Sequence, residues 1–301
     1  MKKILVTGAD GFTGRYLAAA LALAGYEVHG LVHMHKVGGV SGVTALHTAN
    51  LADAAGLAAV LQAVQPTHVA HLAAISFVAH GDAQAIYQTN VVGTRNLLEA
   101  LVQAKAPLQS VLLASSANVY GNSTAGVLDE KTPAAPANDY AVSKLAMEYV
   151  AKLYAQRLPI TMVRPFNYTG VGQSDSFLIP KIVNHVRRLE PVIELGNLDV
   201  ARDFSDVRMV VRQYHKLLET PAAVGHTFNI CSGVALSLND VLRMVKDISN
   251  HNFEVRVNPA FVRQNEVKTL VGSRALLESV VGAVTPIAFE DTLRWMLEPA
   301  A

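Results

Sequence analysis

The chain predicts an α/β fold, a Rossmann-type doubly wound parallel sheet joined to a smaller α/β lobe. Three observations lead there. Residues 4–6, 26–32, 69–72, 110–114 and 160–164 are short apolar runs separated by helical patterns, as expected of parallel strands buried on both faces. The first run passes at once into a glycine turn and a helix. Beyond Pro165 the texture changes to short elements with scattered arginines.

The turn reads Thr7-Gly8-Ala9-Asp10-Gly11-Phe12-Thr13-Gly14. In such a turn Gly8 permits the tight bend, Gly11 lets a pyrophosphate approach the backbone, and Gly14 lets the helix pack on the strand. The helix that follows directs free N–H groups at phosphate. These residues therefore predict a dinucleotide site. After the second strand come His33-Met34-His35-Lys36, with no carboxylate to grip an adenosine ribose. That pattern leans toward NADPH, whose 2′-phosphate needs a cation. His33 reads as a ribose or phosphate neighbour or a solvent-exposed side chain, and no third ligand is near enough to make it a metal site. Asn50 and Leu51 are placed near the adenine, Asp53 reads as a helix N-cap, and Leu72, Ala73 and Ala74 are small or apolar residues over which a cofactor can lie.

A helix is expected over residues 83–105, ended by Pro107. Asn90 within it reads either as a buried post supporting the site or as a polar surface position. The strand at 110–114 runs into Ser115-Ser116-Ala117-Asn118-Val119-Tyr120-Gly121, and a later helix carries Tyr140-Ala141-Val142-Ser143-Lys144 and continues to about residue 156. Four-residue spacing puts Tyr140 and Lys144 on one helix face. An ammonium beside a phenol lowers the phenol's pKa toward working pH. Ser116, at the end of a strand, can hydrogen-bond a substrate oxygen.

Further along, helices are expected at 177–188, 210–218, 238–248, 275–281 and 289–297, and strands at 193–196, 201–207, 226–231 and 253–257. The segment at 226–231 reads as the last strand of the main sheet. Domain boundaries follow: a dinucleotide-binding domain at 1–167, with 204–232 returning to it, and a substrate-binding lobe from 168–203 and 233–301.

The chain has 301 residues, 51% hydrophobic and 16% charged, with a net charge of +1 and no charged block, which argues against nucleic acid or a membrane surface as partner. A single cysteine, Cys231, excludes an intrachain disulfide. The N-terminus reads as a buried strand rather than a signal peptide, and no apolar run approaches a membrane span, so a cytoplasmic protein is expected.

The segments 7–14 and 113–121, together with Tyr140 and Lys144, resemble the extended short-chain dehydrogenase/reductases that act on nucleotide sugars. The resemblance implies Ser116, Tyr140 and Lys144 as the catalytic trio: Tyr140 as acid or base at the sugar oxygen, Lys144 on the nicotinamide ribose. It places Pro165 beside the cofactor, and Ser76 and Asn90 near the active site. The 4,6-dehydratases of that family carry an acid directly before the Val-Tyr-Gly segment, where this chain has Ala117-Asn118. The resemblance therefore implies hydride transfer at C4 without dehydration.

Segments 164–167, 177–181, 196–207, 229–233 and 263–267 resemble the branch containing GDP-mannose dehydratases and GDP-4-keto-6-deoxy-D-mannose reductases. That implies Asn167, Lys181, Arg202, Arg263 and Glu266 as substrate contacts, with Arg263 on phosphate and Glu266 on ribose. Asn167-Tyr168-Thr169-Gly170 departs from an Asn-His-Thr-Gly loop, and His33 stands where NADP-using relatives commonly carry Arg. The implied activity is reduction of a nucleotide-linked 4-keto-6-deoxyhexose with NADPH or NADH. The alternative is a 4-epimerase with retained NAD. The implied partner is a second copy, docked through the helices at 83–105 and 139–156, on whose exposed faces Leu97, Leu101 and Leu153 are expected.

Overall fold

The computed structural model describes residues 2–34, 39–76, 81–121, 126–262 and 269–298. The chain begins β1 (Lys3–Thr7), α1 (Phe12–Leu23), β2 (Glu27–Val32), β3 (Ala45–Thr48), α2 (Ala54–Val64), β4 (His68–His71), α3 (Ala83–Tyr87) and α4 (Thr94–Ala104). It continues through β5 (Ser110–Ala114), β6 (Val127–Leu128), α5 (Asp139–Lys152), β7 (Ile160–Pro165) and β8 (Asn167–Thr169). Then come α6 (Leu178–Arg187), β9 (Val192–Leu195), β10 (Ala201–Asp206), α7 (Val207–Glu219), β11 (Thr227–Ile230) and β12 (Ala235–Ser237). The rest is α8 (Leu238–Ser249), β13 (Glu254–Val257), β14 (Thr269–Gly272), α9 (Ala275–Val281) and α10 (Phe289–Leu297).

Seven of the strands form one parallel sheet in the order β11-β7-β5-β4-β1-β2-β3. The order reverses direction between β1 and β4, and in doubly wound sheets ligands bind at that switch point, outside the carboxyl ends of the strands. Two apolar layers cover the sheet. On one face Leu17, Leu21, Val210, Tyr214 and Leu217 of α1 and α7 pack on Ile4, Val6 and Phe228. On the other, Leu57, Leu61, Leu97, Leu101 and Met147 of α2, α4 and α5 pack on Leu5, Val69 and Val111. A third core gathers α6, α8, α10 and β9 around Ile182, Phe204, Val241 and Leu293 and forms the lobe. Small sheets tie the lobe on: β12-β10-β14-β6, with β8 beside β10, and the pair β13-β9. Two elements cross between the parts. β6 joins the lobe sheet, and Leu277 of α9 packs into the first core.

Several expectations change. The strand β3 was not anticipated, because Ala45-Leu46-His47-Thr48 is too short and mixed to stand out from the preceding glycine-rich loop. The helix expected over 83–105 contains a π-helical segment at Gln88–Gly93. The helix of Tyr140 stops at Lys152 rather than near 156. Directly after Pro165 the structure adds the short strand β8, which runs parallel to β10 with Tyr168 opposite Ser205. Leu97 and Leu101 are buried against α2 at 0% and 1% exposure, whereas Leu153 stands 73% exposed. The helical spacing is right, but the α4 residues belong to its inward face. No described helix is long and apolar enough to cross a membrane.

Candidate active site

The glycine turn behaves as its chemistry demands. Gly8 adopts φ +67°, and a Cβ there would lie 2.9 Å from the Ala73 nitrogen. A Cβ on Gly14 would lie 2.1 Å from the Gly8 carbonyl oxygen, so only glycine lets α1 sit this close to β1. No side chain caps α1, whose N-cap is Gly11. Its first N–H groups are thereby left for a ligand.

A closed set of buried bonds holds the opposite rim. The Thr7 hydroxyl pairs with His71 Nδ1 at 2.7 Å and accepts the Leu72 and Ala73 N–H groups at 3.2 and 3.1 Å. His71 Nε2 meets Thr94 Oγ1 at 2.9 Å, and that hydroxyl donates to the Asn90 carbonyl. The pattern is satisfied by neutral imidazole protonated on Nε2. Burial, aided by the Lys144 charge, pushes the His71 pKa down to about 3. Asn90, 1% exposed, takes the buried of its two readings. Its amide bonds both the N–H and carbonyl of Ile75 and reaches Ser143 Oγ at 3.0 Å. Ser143 in turn donates to the Tyr140 carbonyl. The π-helical turn thus ties the exit of β4 to the helix of Tyr140, a placement typical of π segments at functional sites.

Two chambers sharing Gly8, Gly11, Leu72 and Ala74 make one groove over the strand ends. The outer, about 570 Å³, is walled by Leu31, Val32, His33, Asn50, Leu51 and Ala73. Its apolar sides suit a purine. The inner, about 350 Å³, brings Phe12, Thr13 and Gly14 together with Ser76, Ser116, Tyr140, Lys144, Pro165 and Asn167. The groove therefore fits a dinucleotide laid across the glycine turn, and Ser116, Tyr140 and Lys144 stand together in its inner chamber.

Ser116 caps a 3-10 turn by accepting the Asn118 N–H at 3.1 Å, which leaves its proton free to donate, and it hydrogen-bonds Tyr140. Lys144 donates to the Ala114 carbonyl at 2.8 Å and lies 6.0 Å from the Tyr140 ring centre. Burial pushes the Lys144 ammonium down to about 8, opposed by the Glu148 charge. The Tyr140 phenol is not lowered as anticipated: burial raises it, and the Ser116 hydrogen bond only partly offsets that. In a dry pocket desolvation outweighs a cation turned toward a backbone carbonyl.

Other parts of the wall were not legible. Tyr168 stacks on Phe12 with centroids 6.1 Å apart and bonds Thr13 Oγ1 through its hydroxyl at 2.7 Å. Asn118, Gln173, Phe177, Ile179, Phe204 and Tyr214 also line the inner chamber. The departures at Asn118 and Tyr168 are the sequence signals among them.

The profile of the family described as GDP-mannose 4,6 dehydratase matches residues 5–296. The chain belongs to that family. Within it, the chain is 36% identical over 214 residues to the GDP-6-deoxy-D-talose 4-dehydrogenase of Aggregatibacter actinomycetemcomitans, covering 70% of this chain and 71% of that protein. It is 34% identical over 228 residues to the GDP-6-deoxy-D-mannose reductase of Pseudomonas aeruginosa, covering 73% and 74%. Among solved structures, a candidate epimerase from Burkholderia cenocepacia J2315 is 51% identical, with TM-score 0.94 and coverage of 98% and 97%. RMD from Pseudomonas aeruginosa, solved with NADPH, is 30% identical, with TM-score 0.85 and coverage of 99% and 98%. This family member is thus an enzyme of the extended short-chain dehydrogenase/reductase type.

Two of the anticipated substrate contacts lie outside the lining of the groove. Lys181 donates to the Glu194 carbonyl at 3.1 Å and sits 4.5 Å from the centre of the Phe261 ring. Arg202 lies on β10, opposite Leu270 of β14, and donates to the Ala201 carbonyl. Arg263 and Glu266 fall outside the described residues.

Proposed function

We propose that this enzyme reduces the C4 keto group of a nucleotide-linked 4-keto-6-deoxyhexose, with GDP-4-keto-6-deoxy-D-mannose going to GDP-D-rhamnose. The observation that carries the reading is the convergence of Ser116, Tyr140 and Lys144 in one chamber continuous with the glycine groove. When bound, NADPH or NADH supplies the hydride. Tyr140 donates the proton to the C4 oxygen, and its raised pKa keeps it in the protonated form that a reduction consumes. Ser116 donates a hydrogen bond to the same oxygen. Lys144 binds the nicotinamide ribose and stabilises the phenolate left behind. Asn118 lines the chamber beside Ser116, where dehydration requires an acid, and an amide neither gives nor takes the proton.

The 4-keto substrate and the GDP carrier draw support from the reductase and dehydrogenase relatives. The residues assigned to the sugar are Ser76 and Asn167, which line the inner chamber, with Arg202, Arg263 and Glu266 proposed for a nucleotide end that extends beyond the groove lining. The candidate epimerase at 51% identity favours a second reading, a 4-epimerase of deoxyhexoses such as dTDP-rhamnose and 6-deoxytalose with retained NAD. Cofactor analysis of the purified protein separates the two. Reversible NADPH binding with stoichiometric NADPH consumption on GDP-4-keto-6-deoxy-D-mannose supports reduction. Tightly held NAD, with no net consumption and interconversion of C4 epimers, overturns it.

The protein is also proposed to form a homodimer through α4 and α5. Val142 and Tyr149 of α5, with Leu153 at its C-terminal cap, are exposed at 38%, 61% and 73%. Two such helix pairs give a four-helix contact. Light scattering at micromolar concentration tests this, and a monomer mass refutes it.

A further inference from the structure

Glu148 lies one helical turn beyond Lys144 on α5 and is 4% exposed. Its carboxylate accepts three short hydrogen bonds. Oε1 takes the Ser115 hydroxyl at 2.6 Å and Arg164 Nε at 2.8 Å, and Oε2 takes Arg164 Nη2 at 2.6 Å. Arg164 Nη1 donates to the Tyr120 hydroxyl at 3.1 Å, and that hydroxyl donates to Asn229 Oδ1 at 2.7 Å. Ser115 itself lines the chamber, and the three residues bonded at the carboxylate are next to its other members. Ser115 precedes Ser116, Glu148 follows Lys144 by a turn, and Arg164 precedes Pro165.

Stability alone is a weak reason for such a network. A buried ion pair loses much of its Coulomb gain to desolvation, and apolar residues of similar volume are often as stable. What apolar residues could not do is register the Ser116 loop against α5, or place a negative charge beside the buried ammonium. Lys144 is faced on its own helix by Tyr140 and Glu148, from β4 by neutral His71, and from β5 by the Ala114 carbonyl. Arg164 on β7 is turned onto Glu148.

We propose that Glu148 is a positioning residue for the catalytic pair, presenting its charge to Lys144 and, through Ser115 and Arg164, fixing Ser116 relative to Tyr140. The inference rests on the catalytic reading of Ser116, Tyr140 and Lys144.

The test compares the parent with Glu148→Gln, Glu148→Asp and the double variant Glu148→Gln/Arg164→Met. The double variant avoids an unpaired buried guanidinium if the single one fails to fold. Lys144 is followed without substrate by NMR of protein carrying ε-13C-lysine, and turnover is followed with NADPH and GDP-4-keto-6-deoxy-D-mannose. In Glu148→Gln, loss of the negative charge should shift the Lys144 titration, and the matching limb of the kcat profile, to lower pH by about one unit, because the ammonium loses a favourable neighbour; the double variant also removes the Arg164 charge and should shift it less. kcat at neutral pH should fall by about 10- to 100-fold with little change in KM, as for an interaction felt mainly in the transition state. Glu148→Asp should return the titration toward the parent position. Folded variants with the parent Lys144 titration and kcat overturn the inference. The catalytic reading fails separately, if Tyr140→Phe turns over at the parent rate.

Discussion

The two walls of the active-site groove are built in different ways. The nucleotide wall, from Thr7 to Thr94, is backbone plus a chain of buried polar groups that satisfy one another: Thr7, His71, Thr94 and Asn90. The wall toward the lobe draws on separated segments, contributing Tyr168, Phe177, Ile179 and Phe204, with Tyr214 reaching it from α7 on the main sheet. Toward that side lie buried atoms with no hydrogen-bond partner among the described residues, including Tyr214 Oη, Ser205 Oγ and the Gln213 side-chain amide. The lobe wall is fastened to the other by Thr13–Tyr168, Tyr16–Val171 and Arg15–Gly172 hydrogen bonds. One wall is complete in itself, and the other takes its position from it. Changes on the first should therefore damage binding or chemistry directly, while polar deletions on the second should be tolerated.

The largest effect is expected where the walls meet. Tyr140→Phe removes the proton donor but keeps ring and packing, so turnover should fall by roughly two to four orders of magnitude. Dinucleotide binding should persist, because the glycine turn and Lys144 remain. Lys144→Met should weaken both. Single-turnover reduction and a fluorescence titration with NADPH measure the two separately, and equal losses in both assays for Tyr140→Phe would contradict its assignment.

Next comes the nucleotide wall itself. Gly14→Ala forces a Cβ against the Gly8 carbonyl oxygen and the Ala9 backbone, neither of which can swing aside as a side chain could. Overpacking of this kind costs about 1–3 kcal/mol. The turn that must yield is also the one that binds pyrophosphate, so NADPH affinity should fall together with stability to urea. Parent-like values for both would show that the turn is more pliable than its geometry implies.

The same contrast explains what could be read from the sequence. The glycine turn, Ser116 and the Tyr140–Lys144 pair are fixed by local spacing on one strand–turn–helix or one helix face, and local spacing is visible in a chain. That the sheet is parallel follows from the alternation of apolar runs, whereas its strand order, and so the switch point, does not. Tyr168, Phe204 and Tyr214 reach the groove only because β8 pairs with β10 and α7 packs on α1, contacts that no periodicity announces. Glu148 and Arg164 sit in otherwise ordinary helix and strand patterns, and their pairing exists only after α5 docks on the sheet. Charge near Tyr140 was readable from four-residue spacing. The effect of burial on that charge was not.

Acid should act on the nucleotide wall through His71. Its folded pKa is depressed to about 3 while the unfolded chain titrates near 6.5. Above pH 6.5 neither state carries the proton, and the full stability is present. Below it the unfolded state takes up a proton that the folded state refuses. Stability should then drop by up to about 1.4 kcal/mol per pH unit on the way toward the folded value. Urea denaturation at a series of pH values, for the parent and for His71→Gln, isolates this contribution. A slope below pH 6.5 that is the same in both would remove His71 as its source.

The smallest effect should come from the lobe wall, and its sign is the informative part. The Tyr214 ring is fully buried between α7 and the sheet, and its hydroxyl has no partner among the described residues. Burial raises its pKa, with the nearby phenols of Tyr168 and Tyr140 adding to the shift, so it stays neutral. A buried hydroxyl that makes no hydrogen bond has given up its hydration without return, at a cost of about 1–3 kcal/mol. Tyr214→Phe keeps the ring and its packing and removes only that oxygen. It should leave stability unchanged or raise it by about 1 kcal/mol or less, since the surrounding groups relax part of the way. The same kind of deletion at Asn90, Asn90→Ala, should instead cost about 1–3 kcal/mol, because the Ile75 N–H and carbonyl lose their partners. Urea denaturation of the two variants side by side makes the comparison. If Tyr214→Phe is as destabilising as Asn90→Ala, its hydroxyl is bonded in solution and the lobe wall is as closed as the nucleotide wall.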